Sequence, residues 1–332
     1  MGIWNCQKIP LSFNLDWKIA RGETKARENL LITYKEGEIS GSGEVAFTTG
    51  RGESAEKIIQ VFDEFCWLIP KNINGLDEMM NVLYHSDLPV NLRFGMESAY
   101  IHFLGNLMNN TPQRVLGIDK VNNIKTSYSL PIMDIVEIED FIKTRNLGRF
   151  KSLKLKVSGI ESLELVKEVE RLYKGNLRID ANEGFKNARD VVAFLEALEG
   201  TRIEFLEQPL NHLDWQECIR LKEMTDIPII ADEALQEGEV LSDFARAYDG
   251  VNVKLMKSGG YHKALKQLRA AKNLNLLTMV GCMIETSLGI YSAMNIAAGV
   301  DLFDLDGFLL LENEPYKLVY ENKGKLYYSM NH

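Results

Sequence analysis

Three apolar runs in this chain each end on a carboxylate. LRIDANEG reaches Asp180, IEFLEQP reaches Glu207 and IPIIADEA reaches Asp232, with spacings of 27 and 25 residues. One carboxylate at the end of a strand is most often a helix cap or half of an ion pair. Three brought to one place repel strongly, and burial makes the repulsion worse. A divalent cation resolves that conflict. Ligands that are all oxygen suit Mg²⁺, with Mn²⁺ as the substitute, rather than zinc. Asp180, Glu207 and Asp232 are therefore the expected metal ligands.

Lysines flank them. Lys154-Leu155-Lys156 and Asn252-Val253-Lys254 each put two polar side chains on one face of a strand. Charged groups pointing into a barrel are costly unless they work or are paired. With a lysine on either side of a metal, a proton can leave one face of a carbon and return to the other. That carbon would lie α to a carboxylate, and the metal would stabilise the enediolate that forms. Nearby positive charge lowers a lysine's pKa and helps it act as a base. Lys257, beside Ser258-Gly259-Gly260, receives no role.

These residues can meet only if the elements carrying them converge. From about residue 124, short apolar strands alternate with amphipathic helices. The expected strands are Thr126–Met133, Ser152–Val157, Leu177–Asp180, Ile203–Glu207, Ile227–Ala231, Gly250–Leu255, Leu277–Gly281 and Phe303–Leu311. Helical patterns between them include Glu161–Tyr173, Ala188–Leu198, Asp214–Met224 and Lys263–Leu274. Eight such units imply a closed parallel barrel, whose C-terminal strand ends share one face. Strands two and six then lie opposite each other, which opposes Lys156 and Lys254. An open doubly wound sheet is weaker, because no GxGxxG follows the first strand. The first third reads as a small α+β unit. Strands are expected at Asn29–Lys35 and Gly41–Phe47, and helices at Ala55–Ile69, Leu76–Tyr84 and Glu97–Leu107.

The motifs KLK (154–156), DAN (180–182), EQP (207–209), ADE (231–233) and NVKLMKSGG (252–260) resemble the enolase superfamily, in its muconate-lactonizing-enzyme subgroup. A lysine base beside Mg²⁺ is an established pattern of that superfamily. The resemblance implies an α/β fold: a modified TIM barrel of (β/α)7β form, with an N-terminal α+β capping domain completed by the C-terminal tail. The cap is expected over 1–120 with 312–332 returning to it, and the barrel over 121–311. Carried over by position, Asp180, Glu207 and Asp232 bind one Mg²⁺, and Lys156 and Lys254 are the acid/base pair. Lys154 sits beside the substrate carboxylate, and Asn182 lies in the same site.

FDLDGFLLL carries Asp304-x-Asp306, which alternation would aim the same way. Two carboxylates there suit a cation. They resemble the DxD motif of dipeptide epimerases, whose aspartates bind the dipeptide's α-ammonium. GCMIETS (281–287) resembles the family's seventh-strand loop, with Glu285 expected at the pocket. A cap loop, Asp16–Arg27, is expected to close over the site and select the substrate side chain. It holds Lys18, Arg21, Lys25 and Arg27. Arg21 is the choice for receiving an acidic side chain, as in the murein dipeptide Ala-Glu, which points to cell-wall peptide metabolism. Trp17 and Ile19 would instead favour apolar dipeptides.

The expected reaction is therefore Mg²⁺-dependent epimerisation of a dipeptide at its C-terminal residue. The alternative on the same scaffold is o-succinylbenzoate synthesis or N-acylamino-acid racemisation. A silent binding protein is a third reading, and the intact set of carboxylates and lysines speaks against it. Net charge supports a small-molecule partner. With 38 basic and 47 acidic residues, the chain carries −9 and has no basic surplus for nucleic acid or an anionic membrane. No apolar run approaches the roughly 20 residues that span a bilayer. Four scattered cysteines without a CxxC suit a reducing, cytoplasmic setting. The family often assembles into dimers or rings, so a homo-oligomer is an expectation of the resemblance. The five histidines fall outside the strand-end pattern and read as surface or packing residues.

Overall fold

The computed structural model describes residues 2–19, 22–47, 54–71 and 73–329, with the backbone alone described for 15–19 and 22–26. The chain opens with an antiparallel sheet of β1 (Ile3–Ile19), β2 (Gly22–Glu36) and β3 (Ile39–Val45). This hairpin is much longer than the two expected strands. It also corrects the reading of 16–27 as a loop. Trp17 pairs with Thr24, Lys18 with Glu23 and Ile19 with Gly22. The ladder slips between Ser12 and Trp17 and then resumes, which carries the pairing out to Ile19.

Helices α1 (Ala55–Leu68), α2 (Leu76–Tyr84), α3 (Val90–Leu107) and α4 (Pro112–Val115) follow. α3 is buried along almost its whole length and lies directly on β3. Glycines in ISGSGEV permit that approach. A Cβ at Gly43 would stand 2.1 Å from Gly95 O, and one at Gly41 2.0 Å from Phe103 N. Leu30, Ile32, Val45, Phe62, Leu83 and Met96 fill the core between sheet and helices.

After β4 (Asn123–Lys125) the chain runs β5 (Tyr128–Leu130), α5 (Ile135–Thr144), β6 (Ser152–Lys156), α6 (Leu163–Leu172), β7 (Asn176–Asp180), α7 (Ala188–Glu196), β8 (Ile203–Glu207), α8 (Trp215–Met224), β9 (Ile229–Ala231), α9 (Ser242–Ala247) and β10 (Gly250–Val253). It continues through α10 (Leu255–Ser258), α11 (Tyr261–Asn273), β11 (Leu277–Gly281), α12 (Ser287–Met294) and β12 (Leu302–Asp304). Strands β5 to β12 form one parallel sheet in sequence order. Leu153, Leu155, Leu177, Ile179, Val251 and Val253 face outward and are buried under the helices. α7 meets them with Ala188, Val191, Phe194 and Leu195 on one stripe, and Asn187 caps its first turn at Asp190 N, 3.0 Å away. Each large apolar side chain buried this way contributes roughly 1.5–3 kcal/mol.

The barrel is nearly closed, and no ladder joins β12 to β5. Side chains knit the seam instead. Thr126 Oγ1 accepts from Leu305 N at 2.8 Å, Ser127 Oγ donates to Asp304 at 2.7 Å, and Ser129 N donates to Asp306 at 2.5 Å. The expected strand Phe303–Leu311 is thus corrected. Pairing stops at Asp304, and Gly307–Leu310 turns as a 3-10 helix. The tail forms β13 (Val319–Asn322) and β14 (Lys325–Tyr328), and β14 pairs with β4.

Two buried glutamates from the first third reach barrel helices. Glu44, on β3, accepts from Thr286 N at 3.1 Å and Gly289 N at 3.0 Å, at the start of α12. Glu97, on α3, accepts from His262 N at 3.0 Å, at the start of α11, and from Tyr84 Oη at 2.8 Å. Both satisfy orphan donors of a helix N-terminus.

Candidate active site

Register places the key row. Lys156 pairs with Asp180, and Asp180 with Glu207, at the C-terminal ends of three neighbouring strands. Asp232 follows β9, and Lys254 follows β10 as the residue before α10. β6 and β10 stand four strands apart in the eight-strand sheet, so Lys156 and Lys254 reach the same cavity from opposite sides.

The charges are tightly paired. Lys154 Nζ lies 2.9 Å from Asp180, 2.8 Å from Glu207 and 2.6 Å from Asp304. Lys156 Nζ lies 2.5 Å from Asp180 and 3.1 Å from Asn182 Oδ1. Lys254 and Lys257 hold the two oxygens of Asp232 at 3.0 and 2.9 Å. Burial alone would lift the carboxylates' pKa values. The lysines overcome it at Asp180 and Asp232 and hold both below the usual carboxylate range. At Glu207, burial and the charge of Asp180 win, and the carboxyl is pushed up to about 7. Asp306 behaves alike: burial, then Asp304, pushes it to about 7. Burial would lower Lys154 and Lys254, but the surrounding carboxylates raise both. Lys257 is lowered, by burial first.

By chemistry, with oxygen atoms alone, this donor set is of the kind that suits a divalent cation. Around four lysines stand six carboxyls: Asp180, Glu207, Asp232, Glu233, Asp304 and Asp306. Fully ionised, these ten side chains carry two more negative than positive charges, and Arg27 on the cavity wall and Arg178 beside Asp304 bring the total level. Glu207 Oε2 is buried and accepts no hydrogen bond, although Lys154 is its ionic neighbour, while Oε1 accepts from Asn252 Nδ2 at 2.9 Å. The lysines draw the carboxylates toward themselves, and among the described residues no three Asp, Glu, His or Cys stand in ligating geometry.

The loops bearing these groups are strained. Asn182 and Glu183 have φ of 43° and 67°, and Gln208 of EQP has φ of 36°. Gln208 Oε1 accepts from Asp232 N and Ala234 N, both at 3.0 Å, which fixes the next loop. Asn182 bridges, with its Nδ2 donating to Glu233 at 3.1 Å.

Asp304 and Asp306 both line the cavity, although the strand ends between them. Lys154, Lys156, Asn182, Asp232 and Lys254 line it too. Asp180 and Glu207 lie under the lysines. Glu285 is not among the lining residues. Its carboxyl turns back to accept from Met283 N at 2.7 Å, and burial, then Glu44, pushes it to about 8. Met283 and Ile284 from the same loop line the wall instead. Arg21 lies outside the described residues. Arg27, at the end of the same basic stretch, does line the cavity and donates to Phe47 O at 2.8 Å. Sequence reading also missed Ser129, which carries Asp306, and the role of Lys257 on Asp232. Short polar residues in a strand give no pattern until their partners are known.

A family model described as enolase C-terminal domain-like matches residues 137–319, more than half of the chain. The chain belongs to the enolase superfamily. The L-Ala-D/L-Glu epimerase of Bacteroides thetaiotaomicron is 25% identical over 294 residues, which cover 87% of this chain and 75% of that one. The hydrophobic dipeptide epimerase of Flavobacteria bacterium is 28% identical over 319 residues, 93% and 90% of the two chains. A substrate-liganded complex of the L-Ala-D/L-Glu epimerase from Bacillus subtilis superposes with a TM-score of 0.89 over 98% of this chain and 96% of that one. At 23% identity, that likeness shows the fold. The superfamily chain is an enzyme, an isomerase like these relatives, and they indicate dipeptide epimerase or related racemase activity.

Proposed function

We propose that this superfamily member is a Mg²⁺-dependent dipeptide epimerase that inverts the α-carbon of the C-terminal residue. The observation that supports it most is Lys156 and Lys254 facing one cavity from opposite strands, with the carboxylates between them. A cation held by Asp180, Glu207 and Asp232 supplies positive charge beside the substrate carboxylate. Lys156 takes or returns the α-proton on one face, and Lys254 does so on the other. Asp232 and Glu207 now hold Lys254 protonated, and neutralising them is the condition under which it becomes a base near neutral pH. Lys154 faces the substrate carboxylate. Asp304 and Asp306 receive the α-ammonium, for which their remaining lone pairs suffice. Arg27 gives the cavity a basic wall suited to an acidic side chain such as that of Ala-Glu, while Ile284 and Leu310 suit an apolar one. The setting that follows is cytoplasmic metabolism of cell-wall peptides.

The test is α-proton exchange. The protein and Mg²⁺ are incubated in D₂O with pools of L,L-dipeptides, and mass gain is read. Gain of one deuteron, lost with EDTA or when Lys156→Ala and Lys254→Ala are combined, is the expected result. Exchange confined to N-succinyl amino acids would replace this reading with N-acylamino-acid racemisation.

A further inference from the structure

Below the cavity the barrel interior holds a small apolar cluster of Phe205, Ile230 and Met279, with a cation beside it. Arg178 sits on β7 two residues before Asp180 and points inward with it. Its Nη1 donates to Phe303 O at 2.6 Å and to Ser127 Oγ at 3.2 Å, and its Nε donates to Glu204 at 2.7 Å. Its guanidinium lies 5.2 Å over the Phe205 ring. One side chain thus joins β8 to both banks of the open seam: Phe303 on β12, and Ser127 just before β5. Ser127 Oγ passes the contact on, donating to Asp304 Oδ1 at 2.7 Å while Lys154 holds Oδ2 at 2.6 Å.

The Arg178–Glu204 pair is half-buried, and such a pair adds little stability of its own. What it supplies is the means to fix a carboxylate. Arg178 fixes Ser127, Ser127 fixes one oxygen of Asp304, and the other oxygen is thereby aimed at the cavity. A lysine at 178 has no planar fork and would not reach three acceptors.

We propose that Ser127 and Arg178 form a positioning relay for Asp304, and that through it they set the preference for substrates with a free α-amino group. The proposal rests on the reading of Asp304 as an ammonium site. The experiment compares L-Ala-L-Glu and L-Ala-L-Leu with their N-acetyl forms, by α-proton exchange in D₂O. Ser127→Ala is the mild variant. Arg178→Met combined with Glu204→Gln removes the ion pair without stranding a charge, and circular dichroism checks its fold. For both variants KM for the free dipeptides rises about tenfold, the scale of one hydrogen bond to a charged group. kcat stays within about threefold, and kcat/KM for the N-acetyl forms does not move. Arg178→Lys behaves as the loss does.

A purely structural role would lower kcat on free and acetylated substrates alike, and that result overturns the relay. So does an unchanged ratio in folded Ser127→Ala. Asp304→Asn separates the two ideas. If it collapses the preference for free amines while Ser127→Ala does not, only the relay falls. If Asp304→Asn leaves the preference intact, or no dipeptide exchanges at all, the ammonium reading falls and the relay with it.

Discussion

Lys156 and Lys254 are equivalent in chemistry and opposite in position, so they fail differently. Each alanine variant is expected to lose epimerisation by roughly 10²–10⁴-fold, the usual range for a general acid or base. Each should still exchange the α-proton of one stereoisomer, Lys156→Ala on one and Lys254→Ala on the other. Proton NMR in D₂O with L,L- and L,D-dipeptides checks this, and loss of both exchanges in both variants would contradict it. At this scale the sequence was informative where residues repeat with a period. Asp180, Glu207 and Asp232 announce themselves by spacing, and KLK by alternation. Lys257 was visible but mute, because its meaning is its 2.9 Å contact with Asp232, which no local pattern encodes. Arg178 lies inside the first motif and is mute for a similar reason: its partners come from β8, β12 and the residue before β5.

Among the elements, βα alternation gave most barrel strands to within two residues, since each is a short apolar run between amphipathic helices. β1 escaped. Pro10 interrupts its pattern, yet Pro10 has no N–H to give, and this strand is the edge of its sheet, where none is needed. α3 was expected from Glu97 and starts at Val90, because a helix buried all round has no polar stripe to mark its phase. Two predictions belong here. Gly43→Val would drive a side chain into Gly95 O and should cost at least ~2 kcal/mol in urea unfolding. Glu97 gives a pH signature. Burial pushes its carboxyl up to about 7 from an ordinary 4.5. The folded protein keeps a proton that the unfolded chain releases, so this stabilisation is full below about pH 4.5 and is lost as pH rises through 7. Glutamine has no proton to lose. Between pH 5 and 8, Glu97→Gln should therefore gain on the wild type by up to roughly 3 kcal/mol, read as a growing difference in unfolding midpoints. A flat difference would mean that Glu97 is ionised throughout.

For the whole molecule, the carboxyls gathered at the barrel mouth make ion binding a folding term. Mg²⁺ at a hundred times its Kd should add about 2.7 kcal/mol of stability, seen as a rise in Tm, and Asp232→Asn should abolish that rise. An equal rise in the variant would place the ion elsewhere. No helix among the described residues is long and apolar enough to cross a membrane.

The open seam has a consequence for how such a protein can change. Asp304 and Asp306 hold the two banks together and are also the residues assigned to the substrate. Substrate choice and barrel closure therefore draw on the same two side chains. A lineage, or an engineer, that trades this pair for groups suited to an acylated substrate also removes two fasteners. The exchange should succeed only in a background where the first and eighth strands have already gained another tie, such as a backbone pairing near Thr126 and Leu305. Libraries built at 304 and 306 alone would then yield chains less stable than the parent, held at the seam by the Thr126–Leu305 hydrogen bond and Arg178 alone, while the same libraries carrying a new tie at 126–129 would recover the loss.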